Sequence, residues 1–349
     1  MKEAIVSAGP KVDIKDAPIP TPGKDRVLIK IAVSGSNPKD WKYPEYFNKN
    51  FNSGDDMAGT IEAVGPNVTG FHKGDRVAAF HQMVTDNGSF AEYGIAWADS
   101  TFHLPESTSY EEAATIPLAA MTAVVGLYNR LELPEPWTGG RTDGTVKDAS
   151  KATNTGPLLV YGAAGAVGAF VIQLAKHSGI HPIIGVAGRG IPFVESLLDK
   201  SAGDAVVDYR QDDSAVVSAI KAAAQGQPIR YCYDAVSEKG SYANAGNAMA
   251  EGGKITLVLP GRDYKDMPGH VQHSVTMVGD VHGPQTDLGA AWFKMFGKGL
   301  REGWLKGHPV TVVPGGLAGV QEGLANLKNG KASATKYVFR IGETGGGKL

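Results

Sequence analysis

A glycine-rich run, Gly162-Ala163-Ala164-Gly165-Ala166-Val167-Gly168, follows the apolar stretch Leu158–Tyr161 and leads into a run of helical character from Ala169 to Lys176. Residues of these types in this order suit a dinucleotide pyrophosphate. Glycine lets the backbone turn tightly and approach phosphate oxygens, and the helix that follows offers unpaired N–H groups and the positive end of its dipole. Glycines also cluster in ordinary turns; the strand before and the helix after favour the nucleotide. A second strand, over 182–187, ends in Gly188-Arg189-Gly190. A site that grips a free ribose 2′-hydroxyl has a carboxylate about 20 residues beyond the loop, and here none appears before Glu195. Small residues leave room for a 2′-phosphate, and Arg189 brings a planar, permanent charge. NADPH is therefore the expected cofactor, with a solvated loop arginine as the bland alternative.

Other residues could do chemistry and are weighed the same way. Asp55-Asp56 is a carboxylate pair with no His or Cys close in sequence, which favours turn hydrogen bonding and loop or helix anchoring over a metal. His270 and His273 have a spacing usable on a helix, but Pro268-Gly269 precedes them and a strand follows, so no metal site is expected. His81, near the Asp86-Asn87-Gly88 turn, is a candidate to line a cleft. Ser36, Ser89 and Ser237 lie in no Gly-x-Ser-x-Gly elbow, which removes support for a hydrolase. Trp41, Tyr43, Tyr46 and Phe47 form either an apolar wall for an extended substrate or packing for their own loop.

These residues need elements to hold them. With 349 residues, the chain is long enough for two cores. A hydrophobic content of 42% and a net charge of −2 favour neither nucleic acid nor an anionic membrane as partner. One cysteine, Cys232, rules out an internal disulfide and a four-cysteine zinc site. No secretory signal is expected, and the localisation expected is cytoplasmic. Residues 1–112 carry short strand signals, at 26–33, 59–64 and 74–80, separated by Gly, Pro and Asp turns, the pattern of a small β-barrel. The apolar stretch from Ala113 to Tyr128 reads as a buried helix. Six strands, at 158–161, 182–187, 204–208, 230–234, 254–259 and 274–281, mostly with helices between them, make a doubly wound parallel sheet. A polar insertion over 134–155 precedes the first of them, and the tail from 344 to 349 is expected to fray. The edge strand 274–281 could pair with a second copy, so a monomer and a homodimer both stay open.

The order of these parts, with Gly54-Asp55-Asp56-Met57-Ala58-Gly59-Thr60-Ile61-Glu62-Ala63-Val64-Gly65, then Gly70 to Val77, Gly88-Ser89-Phe90-Ala91-Glu92-Tyr93 and Gly330 to Lys336, resembles the medium-chain dehydrogenase/reductase superfamily over nearly the whole chain. Its zinc alcohol dehydrogenases carry a Cys in the early loop and Gly-His-Glu at a second position. This chain has Ser36-Asn37-Pro38-Lys39-Asp40 and Gly54-Asp55-Asp56 there. It is more similar to the zinc-free quinone-oxidoreductase-like branch, which includes fungal trans-acting enoyl reductases. The resemblance implies an α/β fold with a GroES-like β-barrel domain over 1–125 and 290–349 and a Rossmann domain over 126–289. It also implies that Tyr209 frames the adenine-side phosphate, that Asp234-Ala235-Val236 and Val258-Leu259-Pro260 line the cofactor, and that Lys336 approaches it from the tail. The family's lysine after the second strand is missing where Val194 stands nearby.

The expected function is NADPH-dependent reduction of an activated C=C bond or a quinone, without zinc, on a small-molecule substrate or a carrier-bound acyl chain. Negative charge developing on a carbonyl oxygen needs donors other than a metal, and Lys42, Asn37 and Thr122 are the candidates. A carbonyl reductase using the same donors is the runner-up, and a nucleotide-binding redox sensor without chemistry is a reading from another class.

Overall fold

The computed structural model describes residues 1–137 and 155–345, so most of the insertion expected over 134–155 and most of the tail over 344–349 lie outside the described residues. The chain divides into two compact units, residues 1–121 with 279–349, and residues 122–278, against the limits of 126 and 289 expected for the second.

The first unit begins with the antiparallel hairpin β1 (Lys2–Ser7) and β2 (Lys11–Asp16). Strand β3 (Arg26–Gly35) follows, then helix α1 (Lys39–Phe47) and the strands β4 (Asp56–Val64), β5 (Arg76–Phe80), β6 (Tyr93–Trp97) and β7 (Thr101–His103). The β3 sequence is a nearly unbroken apolar run because both its faces are covered. It pairs antiparallel with β4 and β6, and two register shifts against β4 bend it, as barrel closure requires. The stretch expected as one buried helix from Ala113 to Tyr128 is broken into α2 (Tyr110–Ala113), α3 (Pro117–Val124) and a wide-pitched turn over Val125–Arg130. Pro117, which lacks an N–H, restarts the helix at its first position.

The second unit holds β8 (Leu158–Tyr161), α4 (Ala166–His177), β9 (Ile183–Ala187), α5 (Ile191–Leu197), β10 (Ala205–Asp208), α6 (Asp213–Ala223), β11 (Tyr231–Asp234), α7 (Ser241–Ala248), β12 (Lys254–Leu257) and β13 (Gln272–Val275). All pairings are parallel, in the order β10-β9-β8-β11-β12-β13. This is the doubly wound order, with its topological switch between β8 and β11. Strands β8 and β9 are buried along their whole length, which explains their continuous apolar sequence. The edge strand expected over 274–281 is instead the four residues Gln272–Val275 followed by a 3₁₀ turn over Val278–His282. Its partner β12 stops at Leu257, so residues past Val275 have no ladder to join.

The chain returns to the first unit with α8 (Thr286–Glu302), β14 (Val310–Val312), α9 (Val320–Lys328) and β15 (Lys336–Arg340). Strand β15 lies against β3, completing the order β14-β15-β3-β4-β5-β7. The barrel core gathers Val27, Ile29, Met57, Ile61, Phe90, Leu324 and Phe339, and the Phe90 and Phe339 rings meet edge to face at 5.7 Å. Phe339→Ala should lower unfolding stability by about 3–5 kcal/mol, read from urea melts, because a fully buried ring between β3 and α9 leaves a cavity that rigid strands cannot fill.

Candidate active site

The nucleotide loop sits at the carboxyl end of β8, beside the switch point. Gly162 has φ +78°, a left-handed conformation that favours glycine, and a Cβ there would stand 2.5 Å from Val236 Cγ2. A Cβ on Gly168 would stand 2.4 Å from the Gly162 carbonyl oxygen, so only glycine lets α4 pack this closely on the loop. Gly165 is the N-cap residue of α4 and provides no side-chain acceptor. The first N–H groups of α4, from Ala166, Val167 and Gly168, therefore have no cap from that side chain, an arrangement that fits an anionic pyrophosphate.

The neighbouring loops are fixed from within. Asp234, buried at the end of β11, accepts from the Val236 and Ser237 amides at 2.9 Å each and from Ser241 Oγ at 2.6 Å. Burial pushes its carboxyl up to about 6. Ser237 Oγ in turn receives the Val258 N–H at 2.8 Å, tying the loop after β11 to the loop after β12 that contains Leu259. Across the sheet, the Tyr209 ring lies against Gly188, where a Cβ would come within 2.7 Å of it. Arg189 is exposed between two glycines at the end of β9. Arg210 is engaged by Asp208 at 2.6 Å. Gly162, Ala163, Ala164, Gly165, Gly188, Arg189, Tyr209, Val236 and Leu259 thus stand on the loops at one end of this sheet, with Ala166 and Val167 in the first turn of α4 beside them.

In the first unit, the early loop between β3 and α1 is the edge of a buried charge cluster. Asp56 begins β4, and Asp55 just before it extends the ladder by accepting the His81 N–H through its backbone carbonyl at 2.8 Å; successive side chains there point to opposite faces, so the two carboxylates serve separate networks. Asp56 Oδ2 accepts from Asn37 Nδ2 at 2.8 Å and pairs with Lys336 Nζ at 2.5 Å, while its Oδ1 accepts the Leu118 N–H at 2.7 Å at the start of α3. Lys336 Nζ also donates to Asn37 Oδ1 at 3.1 Å. On the other face, Asp55 Oδ2 is paired with Lys39 Nζ, and Asp55 Oδ1 meets His81 Nδ1 at 2.8 Å. Lys39 Nζ further pairs with Asp40 Oδ1 at 2.9 Å and donates to the Ser53 carbonyl. Burial works against charge on Lys39, yet Asp40 and Asp55 outweigh it and hold the ammonium above its ordinary range. Burial likewise opposes ionisation of Asp55, but Lys39 and His81 keep its carboxyl below the usual value. Asp40 is pushed up to about 7 by burial, against the pull of Lys39.

Comparison with known proteins places both units. The Alcohol dehydrogenase GroES-like domain matches residues 23–106, and the Zinc-binding dehydrogenase domain matches residues 166–292. Trans-enoyl reductase fsr4 of Gibberella fujikuroi is 48% identical over 322 residues, 91% of this chain and 92% of that protein. The chain belongs to the medium-chain dehydrogenase/reductase superfamily. Trans-enoyl reductase resD of Aspergillus sclerotiorum is 33% identical over 97% of this chain and 100% of its own. An alcohol dehydrogenase superfamily protein from Novosphingobium aromaticivorans shares the fold, with a TM-score of 0.76 at 21% identity over 98% of this chain and 99% of that one. Superfamily membership makes the chain an oxidoreductase that uses a nicotinamide cofactor.

The superfamily's zinc does not fit the residues found here. Zinc favours sulfur and imidazole ligands around a compact tetrahedral site, whereas the early loop and the start of β4 offer carboxylate and carbonyl oxygens already gathered around the Lys39 ammonium. The other residues singled out by the sequence stand as follows. Asp55 and Asp56 do anchor loop and helix as expected, though through buried ion pairs and not through turn hydrogen bonds. His81 is 2% exposed, with Nε2 held at 2.9 Å from the Asp86 carbonyl oxygen, so it is a buried member of the cluster, and it also lines a cavity beside Arg26, Asn87 and Trp97. Lys336, expected at the cofactor, is buried with its ammonium engaged by Asp56 and Asn37. Asn37 is drawn into the same pairings. Lys42 lies half-buried on α1 with Nζ 5.5 Å from the Trp41 ring, and Thr122, buried in α3, accepts from the Tyr233 hydroxyl through its carbonyl at 2.7 Å. Trp41 packs on the barrel core, while Tyr46 and Phe47 stay exposed. Sequence reasoning missed Lys39, Asp40 and Ser53; the signal was a lysine set between a proline and an aspartate in a loop otherwise due for burial.

The Asp40 carboxyl gives the cluster a pH signature. Between about pH 4, where an unfolded aspartate ionises, and about 7, the folded chain retains a proton that the unfolded chain has lost, so this group's contribution to stability falls as pH rises. Asp55, held low, acts with the opposite sign, and only at more acid pH. Asp40→Asn should lower stability overall and flatten its decline across this window, as measured by thermal midpoints at intervals from about pH 4.5 to 7.5.

Proposed function

We propose that this oxidoreductase is an NADPH-dependent reductase of activated carbon–carbon double bonds that works without zinc. The observation that carries the reading is the near full-length similarity to proteins named trans-enoyl reductases. Two local features support it. The end of β9 presents Gly188-Arg189-Gly190 with no carboxylate, which suits a 2′-phosphate, and the early loop and the residues before β4 offer carboxylates already paired with an ammonium. When bound, NADPH supplies a hydride to the electrophilic β-carbon of the enoyl group.

The chain's residues do the rest. The α4 N-terminus and Arg189 bind and orient the cofactor phosphates. As the β-carbon gains its new C–H bond, the double-bond electrons move toward the carbonyl oxygen, and the α-carbon takes a proton from water. Lys42 is assigned to stabilise the charge on that oxygen, with Thr122 next in line. Asn37 is a weaker candidate because its amide is engaged with Asp56 and Lys336. The substrate is an α,β-unsaturated acyl chain, free or carrier-bound.

A fluorescence titration should show NADPH binding at least tenfold more tightly than NADH, a difference of about 1.4 kcal/mol that one charge-assisted phosphate contact can supply. Arg189→Ala should remove most of it, and equal wild-type affinities would overturn the NADPH assignment. Turnover against an enone, a quinone and an aldehyde should be fastest with the enone, and faster turnover of the aldehyde would favour a carbonyl reductase. Lys42→Ala should reduce kcat by about 10²–10³, with NADPH affinity nearly unchanged; an unaltered kcat would move the role to Thr122.

A further inference from the structure

The side chain of Lys39 is 12% exposed, and three oxygens from three different residues surround its nitrogen: Asp40 Oδ1 at 2.9 Å, Asp55 Oδ2 and the Ser53 carbonyl. The outer oxygens of the two carboxylates are also engaged, Asp40 Oδ2 by the Asn37 N–H at 2.7 Å and Asp55 Oδ1 by His81 at 2.8 Å. Ser53 Oγ donates to the Asp40 carbonyl at 2.7 Å, closing the ring from the other side. Carboxylates converging on one buried cation from separate chain segments are the plan of a metal site with an ammonium in the centre. Asp55 stands at the position where the zinc members of the superfamily carry the histidine of Gly-His-Glu.

We infer that the Lys39 ammonium is a resident cation that replaces a metal in this unit and clamps the early loop to the start of β4. Lys39 is thus a positioning residue. It fixes the first turn of α1, from which Lys42 projects one turn further on. The inference rests on the zinc-free reading above, and the two can fail separately.

The geometry says what would follow if the ammonium were removed. Lys39→Ala deletes the cation together with three of the four carbons of its stem and leaves two carboxylates and a carbonyl facing a common space. Hard oxygen donors spaced for an ammonium suit Mn²⁺, completed by water, better than zinc, whose oxygen ligands lie at about 2.0–2.2 Å. Without a metal, Asp40 and Asp55 repel each other, and the variant should melt at a lower temperature than wild type.

The test adds Mn²⁺ alone to wild type and to Lys39→Ala and follows free Mn²⁺ by electron paramagnetic resonance and the thermal midpoint in parallel. The wild type should leave the ion free. The variant should bind about one equivalent and regain much of its lost midpoint, and Asp55→Asn in the Lys39→Ala background should abolish both effects. A folded Lys39→Ala chain that binds no more Mn²⁺ than wild type, or whose midpoint Mn²⁺ does not move, overturns the inference, since loss of mere packing is not restored by a cation. Should the variant not fold, amine acetylation of the wild type decides: Lys39 should stay unmodified while exposed Lys49 is labelled, and equal labelling overturns the inference. One zinc per wild-type chain by elemental analysis would overturn the zinc-free reading and this inference together. A zinc-free wild type with an unresponsive variant would overturn this inference alone.

Discussion

Asp56 is the knot of the barrel unit. One carboxylate, with no exposure of its own, receives the early loop through Asn37, the last strand through Lys336 and the first turn of α3 through the Leu118 amide. Those partners are 19, 280 and 62 residues away in sequence. A buried ion pair contributes modestly while intact, but removing one partner strands the other in a medium that cannot solvate it, at a cost of about 3–5 kcal/mol. The pairing therefore works less as a source of stability than as a selector of one arrangement, in which loop, helix and strand meet at a single carboxyl.

Lys39 repeats this logic one residue earlier on the opposite face of β4. A metal ion can be lost, exchanged or stripped by a chelator. An ammonium on a covalent tether cannot, and it needs no supply from outside. What it gives up is Lewis acidity, because an ammonium has no vacant orbital for a substrate oxygen and the N–H groups of this one are already engaged. Catalytic assistance must then come from other groups, and for that reason Lys42, adjacent to the clamp but not part of it, is assigned the role.

Much of this was legible in the sequence wherever the cause is local. The loop from Gly162 to Gly168 declares itself because a tight turn, a close approach and a helix start all fall within seven residues. Strands β8 and β9 were legible because strands buried on both faces must be continuously apolar. The end of the sheet was misread since the length of β13 depends on where β12 stops, which the 274–281 stretch does not encode. The charge cluster was illegible for the same reason on a larger scale: Lys336 and Asp56 look like surface residues until the fold brings them together. Asp55-Asp56 in particular reads as a turn pair by composition, and only its place at the start of a strand separates the two side chains.

That separation limits how the segment can evolve. Alternation sends residue 55 toward Lys39 and residue 56 toward Lys336, so each position needs its carboxylate and also its place in the count. An inserted or deleted residue between the loop and β4 would exchange the two, delivering each carboxylate to the wrong ammonium and turning the pattern of the whole strand inside out. Lineages descending from this chain should therefore hold the spacing as strictly as the two carboxylates, so that residue count is an inherited trait alongside residue identity.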